Sequence, residues 1–312
     1  MNLKYKLFSI ALVCMILVLT ACQQGEDKDN EAKGTKGIDI ETSMLNDNLY
    51  TTESQMDFGV ILNITNRGYH NVKPSDFILT YSGFDEGLVD LYDAPKTFSS
   101  SNDEILFGAD PSHEGTTYQV LVSGNVHLPW ASQETDFEYH MNLFVKYCYR
   151  YKTVLSSVVC IDPSQGYDSN AACKMRKLHS SGGQGAPIVF TEVMPIVASN
   201  KVVFQVYLKN GGEGLAFPSK GIFGSSPLMS CADLERNSQN FAQLTVEATL
   251  GGKTVECTPN PAKVDSEGTY VLCSFGKPDK ETGAYSAVLN LETEYVYVDS
   301  ADAPVSITFL KE

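Results

Sequence analysis

The sequence predicts an all-β fold of two tandem antiparallel β-sandwiches, and three observations carry that expectation. Apolar residues alternate with polar ones along Phe58, Val60, Leu62 and Ile64, and again along Val202, Phe204, Val206 and Leu208, which is the period-2 pattern of a half-buried strand. Both runs end in Asn-x-Gly, Asn66 to Gly68 and Asn210 to Gly212, residue types that tolerate the backbone of a turn. A second match follows in the same order: Leu143, Tyr147 and Tyr149 correspond to Leu291, Tyr295 and Tyr297, so the two halves read as a duplication. Helical periodicity is scarce, and only Ala232 to Phe241, opened by Ser230 as a cap, could form a turn or two of helix.

From the N-terminus, Lys4 and Lys6 precede an apolar run from Leu7 to Leu19 that is short for a membrane span of about 20 residues. It closes on Leu19-Thr20-Ala21-Cys22, which resembles the lipobox of exported lipoproteins. That resemblance implies that residues 1–21 are a signal peptide, lost together with Cys14, and that Cys22 becomes the acylated first residue of the mature chain. Two or more acyl chains are needed for firm attachment, because one gives only marginal binding. Residues 23–36 contain a single Ala among Gly and polar or charged side chains. They cannot bury enough surface to offset ordering entropy, so residues 22–36 read as a lipidated cysteine and a flexible tether.

The first sandwich is expected over residues 37–162, with strands near Ile38 to Thr42, Met56 to Thr65, Phe77 to Tyr81, Thr117 to Val122, Phe137 to Tyr151 and Leu155 to Ile161. Residues 163–185, which open with Pro163-Ser164-Gln165-Gly166 and close with Ser180-Ser181-Gly182-Gly183-Gln184-Gly185, read as a linker. The second sandwich is expected over 186–312, with strands near Ile188 to Val193, Lys201 to Lys209, Ala242 to Leu250, Lys253 to Cys257, Thr269 to Phe275, Tyr285 to Val298 and Val305 to Leu310. Six or seven antiparallel strands in each unit give an immunoglobulin-like layout. With the Asn-x-Gly strand ends and Gly183-Gln184-Gly185-Ala186-Pro187 leading into the second unit, the chain is similar to CARDB-type and related immunoglobulin-like modules of archaeal and bacterial surface proteins. The resemblance implies a fold and an extracytoplasmic setting and brings no activity with it.

Six cysteines remain after Cys14 and Cys22: Cys148, Cys160, Cys173, Cys231, Cys257 and Cys273. An even number in an exported chain, with no Cys-x-x-Cys and no His at ligand spacing, reads as three disulfides rather than a metal site. Cys257 and Cys273 flank a turn near Asp265 to Gly268 and are expected to pair. The other four leave two schemes open, Cys148 with Cys160 and Cys173 with Cys231, or Cys160 with Cys173 and Cys148 with Cys231. If Cys173 belongs with the first half, three cysteines fall in each, so at least one bridge must join the halves.

The formal charge is −15, or −17 once Lys4 and Lys6 leave with the signal. Such a surface repels phosphate backbones, so no nucleic-acid partner is expected, and membrane contact falls to the lipidated Cys22. Nucleophile and phosphate-loop motifs are absent. Ser274 to Lys277 gives an isolated Ser-x-x-Lys, and Gly224-Ser225-Ser226 beside Pro227 reads as turn material. The five histidines, His70, His113, His127, His140 and His179, are scattered singly. Asp85, Glu86, Asp90 and Asp93 cluster without the spacing of a calcium loop. Trp130 reads first as a sandwich-edge ring shielding the core, with an exposed platform for a sugar as the alternative, and Asn63-Ile64-Thr65 is a glycosylation sequon lying on a strand. The expectation is a non-enzymatic, cofactor-free surface protein for adhesion, interaction or envelope assembly, partnered by a surface protein or glycan. The alternative is a lipoprotein that binds a solute or glycan and delivers it to a membrane partner.

Overall fold

The computed structural model describes residues 34–46, 48–101, 103–110, 112–129, 136–163, 171–180, 183–197, 201–219, 231, 241–276 and 283–311. The first half supplies β1 (Ile38–Met44), β2 (Leu49–Thr51), β3 (Gln55–Asn66), β4 (Phe77–Ser82), β5 (Val89–Asp93), β6 (Thr117–His127) and β7 (Phe137–Ile161). The stretch read as a linker supplies β8 (Leu178–His179). The second half supplies β9 (Ile188–Val197), β10 (Lys201–Asn210), β11 (Leu215–Pro218), β12 (Gln243–Leu244), β13 (Glu247–Leu250), β14 (Lys253–Thr258), β15 (Ala262–Lys263), β16 (Thr269–Gly276) and β17 (Tyr285–Phe309). The fold is all-β and antiparallel apart from the parallel pairing of β2 with β17. The expected helical turn over 232–240 lies outside the described residues.

The organising element is a ribbon. β7 and β17 are each 25 residues long and pair along their whole lengths, from Phe137 opposite Phe309 to Ile161 opposite Tyr285. At about 3.3 Å per residue this ribbon extends roughly 80 Å. The sequence pattern suggests breaks in both strands, at 152–154 and at 299–304, but the structure runs straight through. Thr153 is fully buried and donates to the Ile188 carbonyl at 2.7 Å, so the polar residue that imitates a gap belongs to the core. Asp299 to Asp302 pair in register with Tyr147 to Phe144.

Both halves build on this ribbon. β4 extends it beyond β7, while β13, β11 and β2 take successive positions along the far edge of β17. In the first half the opposing layer is a four-stranded sheet in the order β1-β3-β6-β5. In the second half β14 changes layer: Lys253 to Val255 pair with β13, then Glu256 to Thr258 pair with β16. Such a corner strand lets one sheet fold over into a second layer, here β16-β10-β9-β8. Odd-numbered residues of the ribbon, such as Leu143, Tyr149, Tyr151, Leu291, Tyr295 and Ile307, face the core. The buried residues of both halves form one continuous cluster, and Ala32–Glu312 is a single compact unit. A smaller cluster of Cys148, Phe217, Cys231, Val296 and Val298 lies on the ribbon's other face.

Corresponding strands pair in the same way in the two halves. Ile38 of β1 sits opposite Asn66 of β3, and Ile188 of β9 sits opposite Asn210 of β10. The tyrosines show a shift of one pleat relative to the sequence match. Tyr149 is hydrogen-bonded by the backbone of Ile38, and Tyr295 takes the Ile188 amide at 3.3 Å. The structural equivalents of Tyr295 and Tyr297 are therefore Tyr149 and Tyr151, not Tyr147 and Tyr149. A slip of two residues keeps every side chain on its face, so alternation alone does not reveal it.

Candidate functional site

Each Asn-x-Gly strand end closes a ring of hydrogen bonds onto a ribbon tyrosine. In the first half Asn66 Oδ1 accepts the Gly68 amide at 3.2 Å and the Tyr151 hydroxyl at 3.0 Å, while its Nδ2 donates to the carbonyls of His70 at 2.7 Å and Leu106 at 3.0 Å. The His70 amide completes the ring by donating to Tyr151 at 3.2 Å. In the second half Asn210 Oδ1 accepts the Gly212 amide and the Tyr297 hydroxyl, each at 3.1 Å, and Nδ2 donates to the Gly214 carbonyl at 2.8 Å. The Gly214 backbone bonds Tyr297 in turn. Glycine is required at both turns, because a side chain on Gly68 or Gly212 would collide with the tyrosine hydroxyl.

The second ring opens onto a groove at the junction of the halves. Its cavity of about 290 Å³ is lined by the β1 start, the Gly211 to Glu213 turn and the middle of the ribbon, including Tyr147, Tyr149, Tyr297 and Asp299. Four carboxylates, Asp39, Glu213, Asp299 and Asp302, face a single lining cation, Lys36, which is held by Asp39 at 2.9 Å. Arg67 pairs with Asp39 and Glu41 just outside the lining, at 3.4 and 3.0 Å. Burial, followed by the nearby charges of Glu213 and Asp39, raises the Asp299 carboxyl above the usual carboxylate range, although the Ser300 amide opposes the shift. Tyr147 and Tyr297 are pushed well above the ordinary tyrosine value, first by burial and then by Asp299. Both therefore stay neutral hydroxyls. The groove offers negative charge, hydroxyl donors and bare glycine backbone, which together suit a cationic or hydroxyl-bearing group. Among the described residues no three His, Cys, Asp or Glu side chains are grouped to hold a metal ion.

The cysteines pair as Cys148 with Cys231, Cys160 with Cys173 and Cys257 with Cys273. The last pair is directly cross-strand between β14 and β16, as the intervening turn suggests. Of the two schemes left open by the sequence, the structure takes the one in which Cys148 to Cys231 joins the halves. Three disulfides point to an oxidising, extracytoplasmic setting. No helix among the described residues is long and apolar enough to cross a membrane. Cys22, Trp130, Lys277 and Gly224 to Ser226 lie outside the described residues.

The remaining sequence candidates do not converge. Asp85 spends its carboxylate on the Gly87 amide at 2.8 Å, shaping the turn before β5. His113 meets Asp110 at 3.2 Å, His140 meets Ser306 at 2.9 Å and Glu138 at 3.3 Å, and His179 lies 3.9 Å from Glu192. His70 stacks edge-on to Tyr151. Asn63 accepts from Gln119 at 2.9 Å across the outer face of β3 and β6. The groove as a whole has no sequence signature, because its walls come from separate stretches of chain; the repeated tyrosines and the Asn210-x-Gly212 turn are its legible parts. No protein-family model matches the chain, and no curated protein is found similar to it.

Proposed function

We propose that this protein is a membrane-tethered, extracytoplasmic interaction module, acylated at Cys22, which holds a basic group of a neighbouring surface protein in the groove at the junction of its halves. The reading is non-enzymatic and is in keeping with the resemblance to bacterial and archaeal surface modules. The observation that carries it is the groove, where a half-buried Asp299 is flanked by Glu213, Asp39 and neutral tyrosine hydroxyls. A guanidinium or ammonium group entering there would meet complementary charge and donate to these carboxylates.

The test is site-specific cross-linking in intact cells from a photoreactive residue at Ser300, which is exposed on the groove wall. One neighbouring protein should be captured, and the combined Asp299→Asn and Glu213→Gln variant should capture roughly tenfold less of it. Equal capture by both chains would refute the groove as a docking site. Radiolabelled fatty acid should enter the wild type and not a Cys22→Ala chain, which tests the tether separately. The solute-binding alternative keeps one argument, since a cavity of about 290 Å³ also suits a single sugar-sized molecule. A thermal shift with an amino sugar, lost in the same double variant and unaccompanied by protein capture, would select that alternative.

A further inference from the structure

The acidity of this chain is unevenly spread. Between Ser169 and Ala232 there are only two acids, Glu192 and Glu213, against six bases, Lys174, Arg176, Lys177, Lys201, Lys209 and Lys220. That stretch carries +4 and the rest of the sequence −19, which together give the net −15. Half of those bases fall within Lys174-Met175-Arg176-Lys177, where the three cations and His179 are exposed while Met175 and Leu178 are half-buried. Lys177 is partly spent on Glu192 at 2.6 Å. Lys174 and Arg176 have no ion pair among the described residues. They border a recess of about 280 Å³ walled by Val158, Val159, Ser286 and the Cys160–Cys173 bridge.

The second observation is where the anchor-bearing end of the chain meets the body. Gly34 accepts the Gly185 amide at 3.1 Å, and Gly183 packs so closely on Gly34 that it has no room for a side chain. Gly185 is six residues beyond His179, at most roughly 20 Å of extended chain. The eleven residues between Cys22 and Gly34 span at most about 40 Å, long enough for a basic stretch roughly 20 Å or more from that entry to reach the bilayer that holds Cys22.

We propose that Lys174, Arg176 and Lys177 form a second membrane contact, an electrostatic seat for the anionic phospholipid headgroups of the bilayer that holds Cys22. The inference rests on the tether proposed above and adds an orientation to it. Anionic headgroups attract this edge and repel the acidic remainder, so the body settles with β8 toward the bilayer instead of turning freely.

The test uses the acylated full chain floated with vesicles of phosphatidylcholine alone, or of two parts phosphatidylcholine to one part phosphatidylglycerol. Amine labelling of Lys174 and Lys177 is then read by mass spectrometry against Lys253, the exposed first residue of β14. Labelling of Lys174 and Lys177 should fall by about fivefold on the anionic vesicles at low salt, recover at high salt, and leave Lys253 unchanged. The combined K174E, R176E and K177E chain should float equally well and label Lys253 alike on both vesicles. Identical labelling of the wild-type basic segment on both vesicles would overturn the seat, as would equal protection of Lys253. Failure of the tether looks different: a chain that floats only with anionic vesicles has the seat without the anchor, and a chain that floats with neither has neither.

Discussion

The Asn66 and Asn210 turns are assembled from the same parts and end in different surroundings. Each uses an asparagine to satisfy a glycine amide two residues on and a carbonyl four residues on, and each is latched by a ribbon tyrosine. In the first half further chain lies over the turn: the Leu106 carbonyl supplies a fourth hydrogen bond and Ala109 donates to Gly68. Asn66 is fully buried as a result. In the second half β11 begins five residues after Asn210, no such cover is added among the described residues, and Tyr297 lines the groove beside Asp299. The two halves thus carry the same turn, one sealed as structure and the other left open with its polar groups near solvent.

Replacing the asparagines gives the largest effect expected from this contrast. Asn66→Ala abandons four buried hydrogen-bond partners, and at about 1 to 3 kcal/mol for each unsatisfied buried group the loss should reach roughly 4 kcal/mol or more. Asn210→Ala abandons three, beside a groove where water can replace some of them, for about 2 kcal/mol. Urea unfolding with the disulfides intact measures both. Equal losses would mean that the second turn is sealed as firmly as the first and would remove the basis for treating it as a site.

The hydroxyls of the latching tyrosines give a smaller contrast. Tyr151→Phe leaves Asn66 Oδ1 and the His70 amide without their partner in a buried setting, at a cost of about 2 kcal/mol. Tyr297→Phe should cost nearer 1 kcal/mol, because Asn210 and Gly214 can turn to groove water. Amide exchange at His70 should quicken more than at Gly214. The reverse order would show that the groove excludes water.

Much of this scaffold is readable in the sequence alone, and the unread parts have physical reasons. Alternation at Phe58 to Ile64 and Val202 to Leu208 marked β3 and β10, and Asn-x-Gly marked their ends, because turn chemistry and burial are local signals. The ribbon's continuity was hidden at Thr153, whose hydroxyl is satisfied by Ile188 from another strand. It is hidden again at Asp299 to Asp302, where Asp299, Ser300 and Asp302 are polar because they line a groove, not because the strand ends. β5 and β11 were missed because Val89-Asp-Leu-Tyr-Asp is charged and Leu215-Ala-Phe-Pro is short, so each depends on its neighbours to be a strand. Cys257 to Cys273 was legible because only a turn separates its strands, whereas Cys148 to Cys231 spans 83 residues and is fixed by the tertiary fold.

The smallest effect is a difference in sign. Burial, reinforced by the Lys152 charge, lowers the pKa of His70, while Glu294, Asp76 and Glu292 pull the other way. A base whose folded value is depressed contributes stability above its unfolded value near 6.5, and loses it as pH falls through the folded value. Asp299 is shifted upward by burial, so its contribution is full below the unfolded value of 3.8 and disappears as pH rises through the raised folded value. Acidification from neutral pH should therefore loosen the sealed turn and relax the open one. Hydrogen exchange, corrected for intrinsic rates, should show Gly68 and His70 losing protection between about pH 7 and pH 5 while Gly212 and Gly214 hold or gain it. Asp299→Asn should remove the second response and, with the carboxylate partly screened by solvent, raise stability at neutral pH by less than about 1 kcal/mol. If both turns loosened together on acidification, the open copy would be no more strained by its carboxylates than the sealed one, and the case for a cation in the groove would weaken with it.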